Sequence, residues 1–365
     1  MRRLIIVRLL GLVLLLSIAV YSQMETIPHE VTTLAIIPNQ SGASGYEYYI
    51  TGNRNDVITT TQPGLVLMGG GADIDECFEW MIDRSRGGDF LVLRTSGTDA
   101  YNPYLFEMMT RAGFQPNSVA TLIIPSREAA FDPFVLETIA HAEAVWIAGG
   151  DQAKYVRFWK GTPVLKAIEM AVAHGVPLGG TSSGLDVLGQ FLFSGENDTD
   201  LMDNLCSADA LGHPFHDRIT LERDFLNLPH LQGVILESHF VESNRMGRLV
   251  TFLGRILANG WTSDGRGIGI QSNTALLVDT DGTATVVAGP DAIAPAAYFL
   301  QISSESVVCQ TGQPLAVRHV SVNQVRPGET FSFPAWMGQR LVSFSLTAGD
   351  GGLESSHGSR ELYPD

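Results

Sequence analysis

Pro177-Leu178-Gly179-Gly180-Thr181-Ser182-Ser183-Gly184 decides the reading of this chain, because it sets a G-x-S-x-G pattern where an apolar strand gives way to a helix. Such a segment is a nucleophile elbow. Glycines are needed on both sides because the serine sits on a sharp, strained turn, where Cβ atoms two residues away would meet neighbouring backbone. The turn exposes the Ser182 hydroxyl and aims the Ser183 N–H at the same point.

Working outward from the elbow, apolar runs alternate with amphipathic ones. Gly64 to Met68 reads as a strand stopped by Gly69-Gly70-Gly71, and Asp73 to Arg84 as a helix with Ile74, Cys77, Phe78 and Met81 on one face. Strands Phe90–Leu93, Val119–Ile124 and Ala144–Ala148 alternate with helices Tyr104–Ala112, Pro133–His141 and Pro163–His174, and the last helix leads into Val176–Leu178. Continuous apolar strands separated by helices imply an α/β fold: a mostly parallel sheet with helices on both faces and ligands at the strands' carboxyl ends. Beyond a helix at Met246–Asn259, the short segments Gly267–Ile270, Ala275–Val278, Thr283–Val287 and Ala297–Ile302 read as antiparallel β structure. The expected organisation is a signal peptide at 1–22, an N-terminal arm at 23–60 and a catalytic domain at 61–280. A β-rich extension at 281–350 and a disordered tail at 351–365 complete it.

The 365 residues are 45% hydrophobic and 17% charged, which excludes a disordered or collagen-like chain. A net charge of -16 repels phosphate backbones and excludes nucleic acid as an expected partner. Arg2, Arg3 and Arg8 precede an apolar run from Leu9 to Val20, with Ser22 and Gln23 after it, the pattern of a secretory signal. That run is shorter than the ~20 residues of a membrane span. A secreted or periplasmic protein, with no membrane attachment after cleavage, is therefore expected. Cys77, Cys206 and Cys309 allow one disulfide at most, or three free thiols. His213 and His216 lack an evident third metal ligand, and no Lys-Ser/Thr follows the Gly69–Gly71 run, so neither a metal nor another cofactor is expected.

A serine hydroxyl needs a base to take its proton and a carboxylate to orient that base. Of nine histidines, His239 stands out because it follows the apolar run Gly233–Leu236 and so sits at a strand end. His213, His216 and His230 lie in a long irregular connection. Asp198 falls between nucleophile and base, giving the order Ser, Asp, His.

These residues resemble the serine peptidases that include cyanophycinase and dipeptidase E. The likeness rests on Gly149-Gly150-Asp151-Gln152, on Gly179 to Gly184, and on Ser238-His239-Phe240 followed by Asn244-Arg245-Met246-Gly247-Arg248-Leu249. Met68-Gly69-Gly70-Gly71, Thr95-Ser96-Gly97-Thr98-Asp99 and Tyr101-Asn102-Pro103-Tyr104 support it over roughly Gly64 to Val278. The resemblance implies a class I glutamine amidotransferase-like (flavodoxin-like) fold, with Ser182 as nucleophile, His239 as base and Gly150 and Ser183 as oxyanion donors. It leaves Asp198 as the acid, with Glu196 and Asp200 as rivals. It also places Asp151, Gln152, Arg245 and Arg248 in substrate binding, the two arginines suiting a carboxylate beside the scissile bond. Cyanophycinases proper carry Asp-Gln before the histidine, where this chain has Glu237-Ser238. The Ser182–His239 connection is also longer than in dipeptidase E.

The expected function is that of a secreted serine peptidase acting on a small peptide or isopeptide, next to an aspartyl residue, through an acyl-enzyme on Ser182. A secreted esterase and an inactive peptide-binding homologue are the alternatives, and a homodimer is left open.

Overall fold

The alternation read from the sequence becomes regular structure in the computed structural model, which describes residues 45–198 and 205–364. The signal segment, the arm up to residue 44 and Asp200 lie outside the described residues. In chain order, β1 (Glu47–Gly52), β2 (Leu65–Met68), β3 (Asp89–Arg94), β4 (Ser118–Ile123), β5 (Ala144–Ile147) and β6 (Leu178–Thr181) come first. Helices Asp75–Ser85, Tyr101–Ala112, Pro133–Ala140, Gln152–Trp159 and Pro163–Ala173 lie among them. Then come β7 (Phe191–Phe193), β8 (Leu221–Arg223), β9 (Val234–Glu237) and helix Met246–Ala258. These are followed by β10 (Asp264–Ile270), β11 (Thr274–Val278), β12 (Thr283–Ala288) and β13 (Ala297–Ser303).

Two mixed sheets result, correcting the expectation of one mostly parallel sheet. The first runs β1-β4-β3-β5-β6-β2-β11-β12 and on to Thr330–Ser332 and Met337–Gly338. Its centre, β4-β3-β5-β6-β2, is parallel, and its flanks are antiparallel. The second contains β8, β7, β9, β10 and β13, then Ala316–Val325, Val342–Gly349 and Gly352–Ser355, with parallel pairing only at β7-β9-β10. Parallel strands need long crossovers, and the short connections after β10 permit only antiparallel neighbours. One short step matters for function: Gln271-Ser272-Asn273 carries the chain from β10 in the second sheet to β11 in the first.

Each sheet buries its own core. On the first, Val66, Met68, Phe90, Val92 and Trp146 meet Phe78, Met81, Leu105 and Met109 of two helices. Leu67, Leu91, Leu93, Val145 and Ile147 on the other face are buried as well. On the second, Ile235, Tyr298, Leu300, Val322 and Leu346 pack with Leu249, Phe252 and Leu253 of helix Met246–Ala258, which is buried almost all round. The segment after residue 280 joins both sheets through β12 and β13. The expected disorder after Asp350 is corrected too. Gly352–Ser355 adds a strand, Tyr363 Oη accepts the Met246 N–H at 2.8 Å, and the Pro364 carbonyl accepts from Gln324 Nε2 at 2.7 Å. Cys77, Cys206 and Cys309 are free thiols. Among the described residues, no helix is long and apolar enough to cross a membrane.

Glu143, just before β5, is buried and accepts the Asp89 N–H at 2.8 Å. Burial raises its carboxyl to about 7, with the Asp89 N–H pulling against the rise and the charges of Asp89 and Asp56 adding to it. A carboxyl raised on folding stabilises below its unfolded value of about 4.3, and that contribution is lost as pH rises through about 7. Glu143→Gln is therefore expected to raise the melting midpoint at pH 8 by a few degrees and to change it little at pH 4. A thermal melt at both pH values checks this, and an equal shift at each would contradict it.

Candidate active site

The elbow is strained as the sequence requires. Ser182 has φ 52° and ψ -126°, between β6 and the short helix Ser183–Asp186. A Cβ at Gly180 would come within 2.5 Å of the Gly184 carbonyl oxygen, and one at Gly184 within 2.1 Å of the Ile147 carbonyl oxygen, so neither position accepts a side chain. Ser182 is thereby thrust forward at the carboxyl end of the parallel strands. Ser182 Oγ lies 2.9 Å from His239 Nε2.

His239 follows β9, so nucleophile and histidine belong to different sheets. The end of β2 joins them: the Ser182 N–H donates to the Met68 carbonyl at 3.2 Å and the His239 N–H to the Gly69 carbonyl at 2.8 Å. The next residue must be glycine. A Cβ at Gly70, where φ is +96°, would fall 2.4 Å from the imidazole ring.

On the far side of the ring, His239 Nδ1 lies 3.0 Å from Glu242 Oε1 and 2.8 Å from Ser272 Oγ. Ser272 also hydrogen-bonds Glu242 directly. Burial opposes ionisation of Glu242, but the bonds from His239 and Ser272 outweigh it and lower the carboxyl to about 2. An ionised Glu242 holds the proton on Nδ1 and leaves Nε2 free to accept from Ser182.

Glu242 therefore stands where Asp198 was expected, and that assignment is corrected. The buried Asp198 carboxylate accepts from Arg218 Nε at 2.8 Å and belongs to a separate ion pair. Glu196 lies 3.7 Å from Arg157. The order Ser, Asp, His places the acid between residues 182 and 239, whereas it comes three residues after the histidine. The turn that brings it round is closed by the Ser243 N–H on the His239 carbonyl at 3.2 Å. An acid three places beyond a strand-end histidine was the available signal.

Gly150 and Ser183 lie at the ends of neighbouring strands, joined by a 2.8 Å bond from Ser183 Oγ to the Gly150 carbonyl. A Cβ on Gly149 would be 3.3 Å from Ser182 Cβ, which puts the Gly149-Gly150 turn against the nucleophile. Gln152 Oε1 accepts from Ser183 Oγ at 2.8 Å and so orients the residue that follows the nucleophile. Asp151 caps helix Gln152–Trp159, accepting the Ala153 N–H at 2.9 Å.

The arginine pair also needs correcting. Arg248 is buried against Glu237 and lies over the Phe193 ring, while Arg245 Nη1 donates to Glu237 Oε1 at 3.2 Å and to the Ser238 carbonyl at 2.9 Å. Both guanidiniums are held by a carboxylate of the chain itself. Glu237, with a side chain only 3% exposed, requires such partners.

Residues 98–286, just over half of the chain, match the model of peptidase family S51. The chain belongs to peptidase family S51. A cyanophycinase of Trichormus variabilis is 26% identical over 214 residues, covering 58% of this chain and 64% of that protein. A cyanophycinase of Synechococcus elongatus is 25% identical over 244 residues, 61% of this chain and 65% of the relative. The S51 chain described here thus spans somewhat under two thirds of the length of these curated relatives. Among solved structures, a peptidase from an acI-B1 Actinobacterium aligns with a TM-score of 0.47 at 19% identity, covering 75% of this chain and 98% of that one.

Proposed function

We propose that this S51 chain is a serine peptidase that hydrolyses a peptide or isopeptide bond through an acyl-enzyme on Ser182. The observation that carries the reading is the line of contacts from Ser182 Oγ through His239 to Glu242. In the first step His239 Nε2 takes the Ser182 proton as Oγ bonds to the substrate carbonyl carbon. The N–H groups of Gly150 and Ser183 receive the oxyanion. His239 then returns the proton to the leaving amine as the C–N bond breaks. Water, deprotonated by the same nitrogen, cleaves the ester and restores Ser182. Glu242 stabilises the imidazolium in both half-reactions, with Ser272 fixing the carboxylate beside it.

The strand order β4-β3-β5-β6 matches the first part of the flavodoxin-like 2-1-3-4-5 order once β2, which precedes these strands in the chain and pairs with β6, is set aside, and a glutamine amidotransferase-like core carrying the elbow is proposed on those strands. A preference for an aspartyl neighbour does not draw support from Arg245 and Arg248, because Glu237 already occupies both. Incubation with a dipeptide library containing α-aspartyl, β-aspartyl and non-aspartyl linkages tests the proposal. Amine-releasing cleavage of at least one linkage class is expected. Turnover confined to an aryl ester would replace the peptidase with an esterase.

A further inference from the structure

Two sheets meet at this site, and the end of β2 fixes only the backbones of the two reacting residues. A second connection runs beneath them through Asp186, at the end of the short helix that begins after Ser182. Its N–H donates to the Ser182 carbonyl at 3.0 Å. Its side chain reaches across to the second sheet, where Oδ1 accepts the Ser238 N–H at 2.8 Å and Oδ2 accepts the Ser238 hydroxyl at 2.9 Å. Ser238 directly precedes His239, and its carbonyl is held from the opposite side by Arg245 at 2.9 Å.

Asp186 is 4% exposed. Burying a carboxylate is costly unless its oxygens are well partnered, so a core position beside the elbow would ordinarily favour an apolar residue. The charged groups acting on Asp186 are Glu237 at the end of β9 and Arg245 just before helix Met246–Ala258, and Arg248 pairs with the same Glu237. Burial and the Glu237 charge raise the Asp186 carboxyl, while Arg245 and the two Ser238 bonds work against the rise. Its two oxygens, taken by two donors of one residue, fix both the tilt of that peptide and the rotation of its hydroxyl.

We infer that Asp186 is a positioning residue, acting through Ser238 to hold the His239 imidazole in line with Ser182 Oγ. The inference rests on the reading of Ser182 and His239 as the reacting pair. Misplacing a reacting group by about 1 Å can cost a hundredfold in rate, and loss of a two-bond anchor one residue away is expected to cost about tenfold.

The test is the kinetics of a fluorophosphonate reacting at Ser182, with the maximal inactivation rate separated from half-saturation. The proteins compared are wild type, Asp186→Leu, Ser238→Ala, the double variant and Asp186→Asn, with thermal melts to confirm folding. Asp186→Leu is expected to lower the maximal rate about tenfold at unchanged half-saturation, and Ser238→Ala about threefold. The double variant should be no slower than Asp186→Leu, because Ser238→Ala removes only one of the two bonds that Asp186→Leu already breaks, and Asp186→Asn should recover part of the loss. A wild-type rate in folded Asp186→Leu, or losses that multiply in the double variant, would overturn the inference. If Asp186→Leu does not fold, Ser238→Ala decides, and a wild-type rate there has the same force. Failure of the wild type to label would refute the catalytic reading of Ser182 instead.

Discussion

Ser182→Ala is expected to abolish fluorophosphonate labelling and to reduce peptide turnover by roughly four to six orders of magnitude, while the protein still folds. The side chain removed is the only atom of the elbow that bonds to substrate, and the oxyanion donors are backbone groups that stay in place. What remains is the catalysis that binding and the oxyanion site supply by themselves, about a thousandfold over water. Alanine meets the same strain as serine at φ 52°, so the turn should survive and the melting midpoint should move little. Comparable peptide hydrolysis by folded Ser182→Ala would end the acyl-enzyme proposal.

The next largest effect is expected at Glu242. Glu242→Gln keeps the volume and a hydrogen bond to His239, but its amide can donate to Nδ1 and drive the ring proton to Nε2. The ring then presents an N–H to Ser182 instead of a lone pair. Losses of ~10³- to 10⁴-fold in kcat follow when an orienting acid becomes its amide. The glutamine amide does not titrate, so raising the pH from 5 to 9 supplies no carboxylate to the variant, whereas the wild type keeps its own throughout that range because Glu242 titrates near 2. Whatever stability the depressed carboxyl contributes is present above its unfolded value of about 4.3 and is lost only as pH falls through about 2. Asp198→Asn supplies the contrast. It loosens the ion pair with Arg218, so stability should fall while kcat changes less than about threefold. Matching losses in the two variants would show that Glu242 has been given the wrong role.

The elbow and its histidine were legible because each is marked by a local rule. Glycines two residues either side of a strand-end serine are demanded by contacts of 2.5 and 2.1 Å, and His239 follows a fully buried apolar strand. Pairing partners were not legible. An apolar run such as Val234–Glu237 states that it will be buried but not in which sheet, so the second sheet is set by tertiary pairing alone. Glu242 escapes the sequence because its return to the imidazole depends on a positive φ of 45° at His239, a conformation that this residue type permits but does not require. Arg245 and Arg248 were readable as neighbours on one helix end, but the identity of their anion was a tertiary fact. A tail rich in serine and glycine likewise concealed Tyr363, whose ring packs edge-on against Phe240 at 5.8 Å between centroids.

The carbonyls of Met68 and Gly69 receive the amides of Ser182 and His239 respectively. Consecutive α-carbons across a trans peptide are held about 3.8 Å apart by covalent bonds, so the backbones of the two reactants, though not the aim of their side chains, are spaced by a molecular ruler that cannot stretch. Mutational wear in either hydrophobic layer would then soften the scaffold long before it altered that interval.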